Sequence, residues 1–168
     1  MPVGGRLTPF PERRGVGVAE TVDDPLLGKR PPQVKNTVIF APTETADEAH
    51  YFCALLNSSP LNYLATYSSV RGGKSFGSGG FFERVRISKF RPGDAAHGAL
   101  ADASRQAHLA VAAADPASLA KAVAEIDIAA GTYWGLSSSE LADMRTLIGH
   151  LRSSASEDAT EDEDLDDA

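Results

Sequence analysis

Apolar residues fall into a helical rhythm in five places along the chain, and into alternating or continuous runs in three. The first helical stretch opens at Thr45, whose hydroxyl can accept the Glu48 amide while the Glu48 carboxylate reaches back to Thr45, the reciprocal pair of a capping box. Ala49, Phe52, Cys53 and Leu56 follow at helical spacing and are expected to share the buried face. The break Leu56-Asn57-Ser58-Ser59-Pro60 ends that helix. Ser59 reads as the N-cap of a second helix with Pro60 at its first position, where a missing N–H costs nothing, and Leu61, Leu64 and Ala65 supply its apolar face. Asp94 caps a third helix on Leu100, Ala103, Ala107 and Val111. Asp115-Pro116 stops it and starts a fourth, in which Leu119, Val123, Ile126, Ala130 and Tyr133 line one face and Lys121, Glu125 and Asp127 lie off it. Gly135 closes the fourth helix, and Ser137 with Glu140 forms a second capping box for a last helix carrying Leu141, Met144, Ile148 and Leu151.

The three runs read as strands. VGVAETV over residues 16–22 has weak strand character, and KNTVIFA over residues 35–41 is a β-branched and aromatic run stopped by Pro42. FFERVRISKF over residues 81–90 alternates, sending Val85 and Ile87 to the core and Arg84 and Arg86 to solvent. The succession predicts an α+β fold: a few short N-terminal strands and a helix pair, a basic strand, then a C-terminal three-helix group. Residues 1–34 form an extended segment rich in proline, glycine and arginine that reads as cut from something larger. Residues 35–152 form the domain, and residues 153–168 an acidic tail.

Charge sharpens the picture. The chain of 168 residues carries a formal charge of −7, yet eight of its acids lie in the tail, and without them sixteen bases face fifteen acids. The tail cannot bury apolar area and is expected to be disordered. Between residues 71 and 91 the balance reverses: Arg71, Lys74, Arg84, Arg86, Lys89 and Arg91 stand against Glu83 alone. The loop RGGKSFGSGG can bring backbone amides close to a ligand, because Gly72, Gly73 and their neighbours have no side chain to block the approach. A paired cationic face beside such a loop suits phosphate oxygens, and equally a solvated surface.

Several chemistries are set aside. Gly73-Lys74-Ser75 suggests a phosphate-binding loop, but Ser68 stands where that pattern needs a glycine. The four histidines have no metal-ligand spacing, and the single cysteine, Cys53, lies on an apolar helix face and reads as core. Trp134 reads as a core anchor rather than a base-stacking platform. No catalytic set is found, so the chain is not expected to be catalytic alone. No apolar run reaches the length of a membrane span and no signal peptide opens the chain, which points to the cytoplasm.

The order AHYFCALLNSSPLNYL, a glycine- and base-rich loop, RVRISKFRPGD, His97 opening the third helix, and IDIAAGTYWGLSSSEL resembles the C-terminal region of large adenine-specific DNA methyltransferases of restriction-modification and phage-exclusion systems, with TaqI-like target recognition. The resemblance spans residues 35–151. Its most specific pieces are Leu55-Leu56-Asn57-Ser58-Ser59, Ile87-Ser88-Lys89-Phe90 and Tyr133-Trp134-Gly135-Leu136-Ser137. It implies a region that holds double-stranded DNA while a separate domain carries S-adenosylmethionine and flips the adenine. The motif that holds the flipped base is absent. Arg30-Pro31-Pro32-Gln33 has a cation and a glutamine where a hydrogen-bonding side chain and a stacking ring are needed. The expectation is a non-catalytic recognition region, a fragment or split subunit, that contacts DNA through Arg71, Gly72, Gly73, Lys74, Arg84, Arg86, Lys89 and Arg91. It needs no cofactor or metal of its own and partners a methyltransferase or restriction catalytic domain. The alternative is an assembly module that packs on such a partner without touching DNA.

Overall fold

The structure is a computed structural model that describes residues 17–18, 21–26, 28–30, 42–69 and 85–161. The described chain is mostly helical. Five helices, α1 (Ala46–Asn57), α2 (Ser59–Ser69), α3 (Ala95–Ala112), α4 (Pro116–Trp134) and α5 (Ser138–Glu161), follow a small hairpin of β1 (Val22–Asp24) and β2 (Gly28–Arg30). The hairpin is antiparallel, pairing Val22 with Arg30, and Gly28 takes a left-handed φ of 68° at the end of its loop.

Local chemistry sets the helix ends. Thr45 accepts the Glu48 amide, but the Glu48 carboxylate takes the N–H of Glu44 rather than that of Thr45, so the box closes one residue further out. Asp94 and Asp115 each accept two amides of the turn that follows, and Pro116 opens α4. Gly135 sits at φ 69°, where Leu136 N–H reaches the Gly131 carbonyl and closes α4. The same closure ends α3 with Ala114 at φ 53° and Asp115 N–H on the Ala110 carbonyl. Ser137 and Glu140 exchange their capping bonds as expected.

At the α1–α2 corner the structure corrects the reading. Ser58 is the shared cap: its N–H bonds the Leu55 carbonyl to end α1, and its own carbonyl accepts Asn62 N–H to begin α2. Ser59 is therefore inside α2, and its hydroxyl serves another purpose described below.

The core lies where α1, α3 and α4 meet. Tyr51, Ala54, Leu55, Leu100, Ala103, Ala107, Ala122, Ile126 and Ala130 form it, and a smaller cluster on Leu61 and Ala65 of α2 joins it through Ile87 and Trp134. α1 is enclosed on more than one side, so Tyr51, Ala54 and Leu55 are its most buried residues, while Phe52 and Leu56 are half-buried. α5 packs along α2 and against the end of α4. There Gly131 admits Leu141, whose Cδ1 would lie 2.6 Å from any Cβ at that position.

One strand expectation changes and one is not described. In FFERVRISKF, residues 81–84 lie outside the described set, and residues 85–90 pair with no strand among the described residues. The run at residues 35–41 also lies outside it. The last helix runs on to Glu161, well into the stretch read as a disordered acidic tail. No helix among the described residues is long and apolar enough to cross a membrane.

Candidate nucleic-acid interface

Residues 85–91 cross the helical body as an irregular segment with two distinct sides. Val85, Ile87 and Phe90 are half-buried and pack against the two apolar clusters, whereas Arg86, Lys89 and Arg91 are exposed. The alternation read from the sequence holds from Val85 to Ser88 and then breaks, with Lys89 exposed and Phe90 packed inward, so one-sided burial and not a period of two decides which residues turn to the core.

Ser88 replaces the missing ladder. Its N–H donates to the Tyr133 hydroxyl at 2.8 Å, and its carbonyl accepts the Tyr51 hydroxyl at 3.0 Å. The Ser88 hydroxyl lies 3.0 Å from that of Tyr133 and 3.2 Å from Nε2 of His97. The Arg91 N–H donates to the other ring nitrogen of His97, so that nitrogen is bare and Nε2 carries the proton toward Ser88. One residue of the segment is in this way fastened to α1, α3 and α4 together. The rings of Tyr51, Phe90, His97 and Tyr133 pack about it, Tyr51 and His97 with centroids 4.5 Å apart.

The two tyrosine hydroxyls, 3.1 Å apart, are pushed in opposite directions. Burial drives the Tyr51 hydroxyl well above the ordinary phenol range. Burial would raise Tyr133 as well, but the Ser88 hydroxyl and amide, Tyr51 and the nearby Arg91 together hold it below that range.

Of the eight residues expected to contact DNA, the structure describes three. Arg86 and Lys89 enter no ion pair with a described residue, while Arg91 bonds the Asp94 carboxylate at 2.9 Å and is correspondingly less available. Arg71, Gly72, Gly73, Lys74 and Arg84 lie outside the described residues. The residues that sequence reasoning missed are the ones that position the segment, Tyr51 and Ser88 above all. Their only signal was that the stretches holding Tyr51, Ser88, His97 and Tyr133 all carried the resemblance, and these four residues meet in space.

A second polar centre corrects another reading. Asp127, placed off the buried face of its helix, is 4% exposed. Its carboxylate takes the Ser59 N–H at 2.6 Å and the Ser59 hydroxyl at 2.7 Å, and Arg145 reaches it through Nε at 2.9 Å and a terminal nitrogen at 2.7 Å. Asp127 therefore caps α2 from α4, and a cleft of about 360 Å³ between α2, α4 and α5 opens beside it. Cys53 is buried in the α1 face, its thiol pushed up by burial, and Trp134 packs into both apolar clusters. Among the described residues no three His, Cys, Asp or Glu side chains gather as metal ligands would. The chain matches no family model, no curated protein and no solved structure.

Proposed function

We propose that the chain is a DNA-binding target-recognition region of the kind that serves restriction-modification adenine-specific methyltransferases, without catalytic activity of its own. The observation that carries the reading is the segment at residues 85–91, which is anchored through Ser88 and its apolar side while it presents Arg86 and Lys89 to solvent. A backbone already anchored suits phosphate contacts because only the Arg86 and Lys89 side chains remain to be ordered on binding. Arg71, Gly72, Gly73, Lys74, Arg84 and Arg91 complete the proposed contact surface. S-adenosylmethionine belongs to a separate catalytic domain, and the α+β description of the whole chain, with a strand at residues 35–41, and a cytoplasmic location belong to the same proposal.

The test is a binding isotherm on mixed-sequence duplex across a salt series. Affinity should fall steeply with salt through release of counterions. A chain without measurable duplex binding at low salt would refute the reading. Incubation with labelled methyl donor and duplex should leave the DNA unlabelled unless a catalytic partner is added.

A second reading, assembly on a protein partner without DNA contact, is favoured by apolar side chains left in solvent. Ile128 is 63% exposed and Tyr67 65%, with Leu109 and Leu147 also prominent. Association through those residues would be nearly indifferent to salt, which separates the two.

A further inference from the structure

Val18 meets α3 at a histidine. The Val18 N–H donates to Nε2 of His108, 3.2 Å away and ninety residues later in the sequence. On the other side of the same ring, Nδ1 lies 2.8 Å from the Ser104 carbonyl. A carbonyl can only accept, so Nδ1 carries the ring proton and the bond from Val18 uses the bare lone pair of Nε2. Both nitrogens are thereby occupied, and only the neutral ring fits both contacts. A second proton would sit on Nε2 facing the Val18 N–H, donor against donor.

We infer that His108 is an acid-released latch, which holds the backbone at Val18 against α3 while its ring is neutral and lets it go when the ring is protonated. The surroundings favour the neutral form. On α1, His50 meets His108 edge to face with centroids 4.8 Å apart, and its Nδ1 lies 3.1 Å from the Ser104 hydroxyl. Arg105 of α3 is next to this pair and is bonded to Asp47 of α1 and Asp102 of α3. Gly17 and Val18 themselves bring no titratable side chain to the ring. Burial lowers both histidines from the ordinary 6.5, and His50, with His108 and Arg105 adding to its burial, falls to about 4.

The sign follows from linkage. A group whose folded value lies below its unfolded one contributes stability in full above the unfolded value, and that contribution is lost as pH falls from there. The latch is accordingly closed near neutrality and opens in acid below about 6.5, after the sign of the His108 shift. Nothing in this inference depends on DNA binding.

The test is amide exchange with water at Val18 in the whole chain, followed by NMR from pH 7.5 down to 4 beside the His108 ring titration and corrected for the intrinsic rate. A single bond of this kind should slow exchange about five- to tenfold at pH 7.5. That protection should vanish in step with ring protonation, while Leu100 and Ala103 in the middle of α3 keep theirs. His108→Phe should leave Val18 unprotected at every pH. An unprotected Val18 at pH 7.5, or protection that outlasts the titration of the ring, would overturn the latch, and the native chain alone decides this if the variant does not fold.

Discussion

Asp127 and Ser88 each gather polar contacts from distant parts of the chain, the first through an ionised group and the second through neutral ones. Asp127, on α4, joins α2 and α5 through Ser59 and Arg145. Ser88 joins its segment to α1, α3 and α4 through two phenols and a neutral imidazole. A buried carboxylate is costly to hold once its partners go, because no neighbouring group can turn to replace them. Hydroxyls can turn and share, so the neutral centre should lose less from any one deletion. The ionic centre therefore fixes how the helices sit, and the neutral one fixes a surface segment on a body already folded.

The largest effect should come from the ionic centre. Arg145→Met leaves the buried carboxylate with Ser59 but without its cation and should cost about 3 to 5 kcal/mol. Asp127→Ala strands the buried Ser59 N–H and hydroxyl whose bonds it accepts, while Arg145 turns to solvent, and should cost about 2 to 4 kcal/mol by denaturant unfolding. A loss from Arg145→Met no larger than that from Tyr133→Phe would break the comparison. In the neutral centre, Tyr133→Phe strips the exposed Ser88 N–H of its acceptor and should cost about 0.5 to 1.5 kcal/mol, since water can replace it. Its telling readout is exchange of the Ser88 amide, which should quicken while α2 amides stay protected.

The smallest effect on stability should come from the surface that the neutral centre presents. Arg86→Gln with Lys89→Gln should move stability by less than about 0.5 kcal/mol. Duplex affinity should nonetheless weaken for all sequences alike, with a log–log salt slope shallower by roughly two units. An unchanged slope would transfer the proposal to the assembly reading.

The sequence disclosed what is local. Asp94, Asp115, Gly135 and the Ser137–Glu140 box each act within a few residues of their own position, so their roles follow from chain order alone. Ala114 does the work of Gly135 at the end of α3, but alanine carries no stop signal, and there only the following Asp115-Pro116 marked the boundary. What required structure was long in range. Asp127 reads as a surface acid because its partner Ser59 lies 68 residues away. Alternation over residues 81–90 reads as a strand because one-sided burial and a ladder leave a similar pattern over a few residues, and the partners that decide between them, Tyr51 and Tyr133, are far along the chain. The hairpin of β1 and β2 went unread since three residues are too few to show a period. Of the candidate interface, the outward direction of Arg86 was legible, and the means by which its segment is fixed was not.

The length of α5 has a consequence for how the molecule lies in an external field. The helix begins beside Trp134, which packs in the same cluster as Val85, and its 24 residues carry the backbone about 36 Å away. Glu157, Asp158 and Glu161 lie in its last two turns, where the carbonyl end of the helix is already negative. Arg86 and Lys89 stand near the start of α5 in space and these acids at its end in sequence, so charge of opposite sign is separated along the helix. Near any polyanion the protein should turn Arg86 and Lys89 inward and swing the far end of α5 outward before a single contact forms, so that encounters begin in one orientation and raised salt slows them.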